Sequence, residues 1–134
     1  MAENDVIIRP LTEADLAEVA ALLAAQEFGD DSAPRLRAAF AHLQNFSLVA
    51  MRADHVEAAA LATFNGWHIF LSHLVVAPSA REKGIGKRLV DTLARAAAAA
   101  GAKGLIADAR LSAAGFFQKL GFRLPGAVFL IKDV

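Results

Sequence analysis

The stretch LVVAPSAREKGIGKRL, residues 74–89, constrains the fold more tightly than any other part of the sequence. Its apolar run ends at Pro78, which cannot donate a backbone hydrogen bond and therefore stops a strand. From Ile85 onward, apolar residues repeat every four positions until Gly101, a residue suited to the left-handed end of a helix. We therefore predict a strand, a tight turn and a long helix.

The turn itself, Arg81-Glu82-Lys83-Gly84-Ile85-Gly86-Lys87, has the composition of an anion site. Glycines let the backbone approach a phosphate, and the N–H groups that begin a helix point outward together. The helix dipole adds roughly half a positive charge at that end. A pyrophosphate is the natural ligand, although a basic helix terminus exposed to solvent has the same composition.

Two well-known phosphate motifs do not fit this turn. A Walker loop requires four residues between its glycines and a Ser or Thr after its lysine, whereas here Arg88 follows Lys87. A dinucleotide-binding fold requires a third glycine and a position after the first strand. A nucleotide-binding or phosphate-binding domain of another fold is therefore disfavoured.

Length and composition limit the remaining possibilities. A chain of 134 residues suits a single domain, residues 1–134, and no apolar run approaches the ~18 residues that span a bilayer. The sequence has no cysteine, which excludes disulfides and thiolate metal sites. Its formal net charge of zero disfavours nucleic-acid binding, which depends on many Lys and Arg contacts. His42 and His55 lack metal-ligand spacing, so we expect no metal. The acidic start of the chain lacks a secretory signal, and we expect a cytoplasmic protein away from membranes.

The element order is predicted to be β-α-α-β-β-β-α-β-α-β, a mixed α/β fold. Thr12 and Asp15 form a capping box for the first helix, Ser32 begins the second, and Asn65-Gly66 is a two-residue hairpin turn. A right-handed βαβ connection makes the fourth and fifth strands parallel within a mostly antiparallel sheet. The predicted strands are residues 6–9, 46–52, 56–64, 67–76, 104–109 and 127–132, and the later helices are residues 85–101 and 112–120.

Residues 74–89 resemble the main motif of the GNAT acetyltransferase superfamily, a strand, a proline turn and (Arg or Gln)-x-x-Gly-x-(Gly or Ala). A second stretch, AAGFFQKLGF at residues 113–122, resembles the later helix of that family, A-x-x-F-Y-x-x-x-G-F. The element order matches the GNAT fold along essentially the whole chain. The resemblance implies an N-acetyltransferase that moves an acetyl group from acetyl-CoA to a primary amine of a small molecule or peptide. Attack would be direct, within a ternary complex, and a homodimer is common among such proteins.

The resemblance also implies where acetyl-CoA binds. Pantetheine would pair with the strand edge at Leu74, Val75 and Val76, and the pyrophosphate would lie on the N–H groups of Glu82 to Lys87. A backbone N–H near Val75 or Val76 would stabilise the oxyanion, and one such donor is typically worth ~3 kcal/mol.

Strand alternation assigns a candidate base. It predicts His68, Phe70, Ser72 and Leu74 on one face of the fourth strand, the face where bases of the family often lie. His68 has a suitable ordinary pKa of about 6.5, and Ser72 would help to position it. A half-exposed histidine beside a turn is the competing interpretation. His73 is predicted on the opposite face as a packed residue.

The sequence departs from the family pattern at two positions. Phe117 stands where many members place a tyrosine that protonates the leaving thiolate, and the chain has no tyrosine at all. Arg110 replaces a frequent asparagine and either reaches the CoA phosphates or is solvated. The missing hydroxyl leaves an alternative open, a GNAT-like module that binds acyl-CoA with little or no activity.

Acids at Glu27, Asp30 and Asp31 lie in a loop expected to border the acceptor cleft, which would favour a cationic amine; a solvated acidic turn is the other interpretation.

Overall fold

The computed structural model describes residues 5–26 and 28–134 and contains a five-stranded mixed sheet. The strands lie in chain order: β1 (Ile7–Pro10), β2 (Leu48–Arg52), β3 (His55–Phe64), β4 (His68–Val76) and β5 (Gly104–Ala107). The helices are α1 (Leu16–Ala25), α2 (Ser32–Leu43), α3 (Ile85–Ala99) and α4 (Ala114–Lys119). Only β4 and β5 pair in parallel, as the βαβ connection predicts.

The sheet separates two hydrophobic cores. One face packs against α3 through Leu89, Leu93 and Ala97, and the other packs against α1 and α2. Between them, β3 contributes alanines at positions 58, 59, 60 and 62, all fully buried. Because an alanine adds only a methyl group, β3 lets the two helical layers come close to the sheet.

The start of α1 confirms the predicted capping box. The Asp15 carboxylate accepts hydrogen bonds from the Thr12 N–H at 2.8 Å and the Thr12 hydroxyl at 3.0 Å. Arg9 adds a bidentate ion pair to Asp15, with both N···O distances at 2.8 Å. The hydrogen bond from Arg9 is the largest cause of a lowered Asp15 pKa. A 3₁₀ turn, Glu13–Asp15, precedes α1, so the helix begins later than predicted.

The alternation predicted for β4 is wrong beyond a β-bulge at Ser72. The register shifts there, because Ala62 faces Leu71 while Leu61 faces His73. Ile69 and Leu71 therefore belong to the α3 core, whereas Val75 belongs to the core beneath α1 and α2. A bulge re-aims every side chain that follows it, and here it places His73 and Leu74 on the opposite faces from those predicted.

The β3–β4 hairpin forms where predicted, with a different turn. Gly66 has a positive φ of 97°, but Asn65 does not, and β4 starts at His68. The Asn65 side-chain oxygen accepts hydrogen bonds from the N–H groups of Trp67 and His68, both at 2.9 Å. A three-residue loop closed by the asparagine side chain therefore replaces the expected two-residue turn.

The last predicted strand, residues 127–132, is wrong for this single chain. Residues 122–134 contain no helix or strand, Phe122 is partly buried, and residues 123–134 are all exposed. The apolar composition of that segment favours a strand, but a strand requires a hydrogen-bonded neighbour, and among the described residues the segment pairs with no other strand. Within the described ranges no helix is long and apolar enough to cross a membrane.

Candidate active site

A cleft opens where β4 and β5 part. β5 ends at Ala107, and the last bond between the strands runs from the Asp108 N–H to the Leu71 carbonyl at 3.3 Å. β4 continues for five residues to Val76 without a neighbour on that side. The resulting cleft has a volume of about 1210 Å³. Open α/β sheets bind ligands at such crevices beyond the carboxyl ends of parallel strands.

The backbone of β4 presents Val76 to this cleft. The Ala77 N–H donates to the Glu57 carbonyl at 2.7 Å, and Val75 lies opposite Ala59. Because hydrogen-bonded and non-bonded pairs alternate in an antiparallel ladder, the N–H of Val76 points away from β3. Its carbonyl does the same, accepting from the Gln26 side chain at 2.8 Å and the Arg81 Nε at 3.3 Å. Val75 itself is fully buried and does not line the cleft.

Two residues in the turn before α3, Glu82 and Gly84, have a left-handed backbone conformation. Glu82 has a φ of 65°, which costs a non-glycine residue about 1–2 kcal/mol, and Gly84 has a φ of 77°. The first intrahelical bond is from the Arg88 N–H to the Gly84 carbonyl at 3.1 Å. The three preceding N–H groups, of Ile85, Gly86 and Lys87, therefore have no acceptor within the helix. This geometry suits an anionic group.

Gly86 leaves room for an aromatic ring. A Cβ at this position would lie 3.2 Å from the Cζ of Phe116 and 3.8 Å from a Leu74 methyl. The ring of Phe116 therefore lies directly above the first turn of α3. A Cβ at position 86 would require this ring to shift by a few tenths of an ångström.

Two of the three cationic side chains among residues 81–87 line the cleft, and the third does not. Arg81 and Lys87 line the cleft, although the ammonium of Lys87 pairs with Asp91 at 2.6 Å. Lys83 is exposed and does not line the cleft. The structure thus brings most of the predicted cofactor residues together, namely Leu74, Val76, Arg81, Glu82, Gly84, Ile85, Gly86, Lys87, Arg110 and Phe117.

His73, predicted as a packed residue, lines the cleft. Its Nδ1 lies 2.9 Å from the Ser72 hydroxyl, and that hydroxyl donates to the Leu61 carbonyl at 3.2 Å. Since the hydroxyl proton is used, Ser72 accepts from the His73 Nδ1–H, which leaves Nε2 as the acceptor nitrogen. Burial lowers the pKa of His73, while nearby Asp108 acts in the opposite direction.

The structure does not bring His68 to the cleft. It begins β4, beside Gly104, and lies six residues before Leu74, or about 20 Å along the strand. Ser72 does line the cleft, but its side chain serves His73 rather than His68.

Phe28 links the two sides of the cleft entrance. The Phe28 ring packs edge-on against the ring of His73, with 5.1 Å between the two centroids. The guanidinium carbon of Arg110 lies 5.1 Å from the centroid of the Phe28 ring. Arg110 thus makes a cation–π contact, an arrangement that neither sequence alternative anticipated. Asp31 pairs with Arg35 at 2.5 Å, and neither Asp30 nor Asp31 lines the cleft. Glu27 lies outside the described residues.

Phe117 is buried and lines the cleft wall. Its ring makes edge contacts with Phe116 at 5.1 Å and Phe122 at 5.2 Å, so the three aromatic rings form one cluster. The position where the family resemblance predicts a tyrosine is therefore apolar in this protein.

Sequence reasoning missed several residues of the cleft, among them Gln26, Phe28, Asp108 and Phe116. Helical spacing predicts Phe116 as a core residue, whereas in the structure its ring lies against Gly86 at the cleft. Gln26 and Phe28 belong to the segment after α1, whose path no local pattern determines. Across residues 5–26 and 28–134, no cluster of His, Asp or Glu side chains could hold a metal ion.

The chain belongs to the acetyltransferase (GNAT) family, whose model matches residues 15–122. No curated protein matches the sequence at a significant level.

Solved structures agree with the family. The aminoglycoside N-acetyltransferase AAC(6')-Iy, in complex with CoA, is 22% identical with a TM-score of 0.77 over 96% of this chain and 95% of its own. A ribosomal-protein-alanine N-acetyltransferase from Brucella melitensis is 21% identical with a TM-score of 0.78, over 97% and 100% of the two chains. A glucosamine-6-phosphate N-acetyltransferase from Arabidopsis thaliana is 18% identical with a TM-score of 0.72, over 97% and 99%. At these identities the similarity establishes the fold.

Proposed function

We propose that this protein is an N-acetyltransferase that transfers the acetyl group of acetyl-CoA to a primary amine of a small molecule or peptide. Residues 1–134 would act as one domain in the cytoplasm. The observation that carries the proposal is the cleft between β4 and β5. Val76 and the residues that begin α3 line this same cleft. AAC(6')-Iy has also been solved with a bisubstrate analogue of CoA and an acetylated neamine, so the same fold accommodates donor and amine acceptor together.

The residues present fit acetyl-CoA. The unpaired N–H groups of Ile85, Gly86 and Lys87 would hold the pyrophosphate, and Arg81 would add charge. The edge of β4 at Leu74 and Val76 would pair with pantetheine. Acetyl-CoA supplies the activated acyl carbon as a thioester.

Two groups of the protein would act on the reaction. The Val76 N–H would donate a hydrogen bond to the carbonyl oxygen as negative charge develops on it. His73 Nε2 would take the proton from the attacking nitrogen, because Ser72 holds the ring in the tautomer with Nε2 unprotonated. The C–N bond forms, the C–S bond breaks, and the sulfur leaves as a thiolate with its electron pair. A thiol with a pKa near 8.5 is an adequate leaving group without a general acid.

Calorimetric titration with acetyl-CoA, beside ATP, tests the donor site without knowledge of the acceptor. We expect micromolar binding of acetyl-CoA that is lost in Gly84→Glu and Gly86→Glu variants, while ATP binds weakly or not at all. A folded protein that does not bind acetyl-CoA would refute the proposal. Release of free thiol in the presence of a panel of amines then tests transfer.

One observation favours a second candidate, an acyl-CoA-binding module with little or no activity. Phe117 removes the hydroxyl that many relatives possess, and it is packed between two other aromatic rings. Tight binding of acetyl-CoA without release of thiol, for any amine tested, would establish this alternative.

A further inference from the structure

Two residues of opposite charge follow β5 and line the cleft near His73. They are Asp108 and Arg110, two positions apart in the sequence. Burial lowers the pKa of His73 and the charge of nearby Asp108 raises it, so the carboxylate lies close to the imidazole. The guanidinium of Arg110 lies over the ring of Phe28, and that ring contacts His73. We refer to these four residues as the acceptor pocket.

The Phe28 ring limits how far the guanidinium can lie from the imidazole. The Phe28 centroid is 5.1 Å from the His73 centroid and 5.1 Å from the guanidinium carbon of Arg110, so the two groups are at most about 10 Å apart. A hydrogen bond of about 3 Å at each end takes up more than half of this span. A molecule that lies between the two groups therefore has only a few covalent bonds between the atoms that they bind.

The contact with Phe28 leaves the guanidinium able to bind an anion. A guanidinium contacts an aromatic ring through its face, whereas it binds a carboxylate or a phosphate group through the N–H groups at its edge. Holding the guanidinium of Arg110 against a ring also reduces the side-chain entropy that is lost when an anion binds.

The two charges of the pocket favour one kind of amine over others. An ammonium group is attracted to Asp108, which brings its nitrogen to the imidazole. A second ammonium group on the same molecule would meet the positive charge of Arg110, and placing like charges together is unfavourable. An anionic group there would instead form charge-assisted hydrogen bonds.

We infer that the acceptor is a short zwitterionic amine, whose amino group lies beside His73 and Asp108 and whose carboxylate or phosphate group lies on the guanidinium of Arg110. The inference rests on the proposed function and narrows the acceptor to small molecules. It replaces the cationic amine expected from the acidic residues after α1, of which Asp30 and Asp31 do not line the cleft.

Calorimetric titration of amines into the protein saturated with CoA tests the inference without turnover. The probes are pairs that differ in the anionic group: L-amino acids beside their carboxamides, and O-phosphoethanolamine beside ethanolamine. We expect the anionic member of at least one pair to bind about tenfold more tightly than its neutral partner, and that pair distinguishes carboxylate from phosphate. Equal binding within every pair, no binding of any anionic member at millimolar concentration, or tighter binding of spermidine would overturn the inference.

Substitution of the guanidinium tests its role directly. Arg110→Gln and Arg110→Glu should each remove the preference for the anionic member of the pair, while the Kd for CoA changes less than about twofold. Arg95→Glu is the matched control, because Arg95 is an exposed arginine that does not line the cleft. Circular dichroism verifies that the variants are folded. If both Arg110 variants weaken binding of CoA and leave the preference unchanged, Arg110 serves the CoA phosphates and the inference is wrong.

Release of free thiol from acetyl-CoA separates failure of this inference from failure of the proposed function. Turnover with neutral or polycationic amines, but not with any anionic member of the pairs, would refute the inference and leave the transferase intact. Binding of a zwitterionic amine beside CoA, with no thiol released from acetyl-CoA by any amine, would retain the acceptor pocket and refute acetyl transfer.

Discussion

The side-chain amide of Gln26 donates a 2.8 Å hydrogen bond to the carbonyl of Val76, a residue fifty positions away. This contact ties the end of α1 to the last residue of β4, the residue whose own N–H faces the cleft.

We expect Gln26→Met to reduce kcat about fivefold while the Kd for acetyl-CoA changes less than about twofold, because a single net hydrogen bond is worth roughly 1 kcal/mol. Gln44→Met is the control, since Gln44 also donates to a backbone carbonyl but at the exposed end of α2. Steady-state kinetics and titration check both values. Equal losses in the two variants would contradict a positioning role for Gln26.

His73→Asn should reduce kcat/KM by about 10² to 10⁴, the usual contribution of a general base. A lowered pKa means that His73 stays neutral, and able to accept a proton, to below pH 6.5. The kcat/KM of the wild type should therefore rise with pH through a midpoint below 6.5 and then level off. The variant should lack this rise. His42→Asn is the inert control. If His68→Asn removes the rise instead, the base predicted from alternation is the right one.

Gly84→Ala should destabilise the protein by roughly 1 kcal/mol and weaken acetyl-CoA binding about tenfold, because its φ of 77° disfavours any side chain. Gly101→Ala is a matched control at the other end of the same helix. Its φ of 79° carries the same backbone cost, and like Gly84 it has open space where a Cβ would be. Denaturant unfolding should give similar losses, whereas titration should separate the two variants.

Gly86→Ala should act through Phe116 rather than through the backbone. The new Cβ would meet the ring at 3.2 Å, and the half-exposed Phe116 can move away. We expect stability within about 0.5 kcal/mol of wild type and weaker binding of acetyl-CoA. The double variant with Phe116→Leu should recover part of that affinity, and a failure to recover any would argue against the ring contact.

Asp15→Asn should lower the free energy of unfolding by about 1 to 2 kcal/mol at pH 7, since it removes the charge that Arg9 pairs with. The Asp15 pKa is lowered below 3.8, so its contribution is complete above that value and is lost as the pH falls further. The variant should lack this dependence in acid unfolding. Asp91→Asn, which breaks the exposed pair with Lys87, should cost less than about 0.5 kcal/mol.

The order of elements as far as α4, the parallel pair and the tight turn before α3 could be predicted because periodicity and glycine placement are local signals. The bulge at Ser72 could not, since HIFLSHLVV contains no glycine or proline to mark an irregularity and the extra residue is set by pairing with β3. That single shift moved the candidate base from His68 to His73. The apolar and β-branched composition of residues 127–132 predicts a strand. Strand formation also depends on a hydrogen-bonded neighbour, which the local sequence does not specify. Gln26 and Phe28 reach the cleft through tertiary packing alone.

The alanines of β3 have a consequence for how this active site could adapt. Alanine has no side-chain rotamers, so these four positions of the strand that sets the register of β4 cannot repack by changing rotamer. The position of the Val76 peptide is then as rigid as the ladder itself. Tolerance of different acceptors must come from the segments around Phe28 and Arg110, whose side chains can rearrange while the acyl-transfer geometry stays constant.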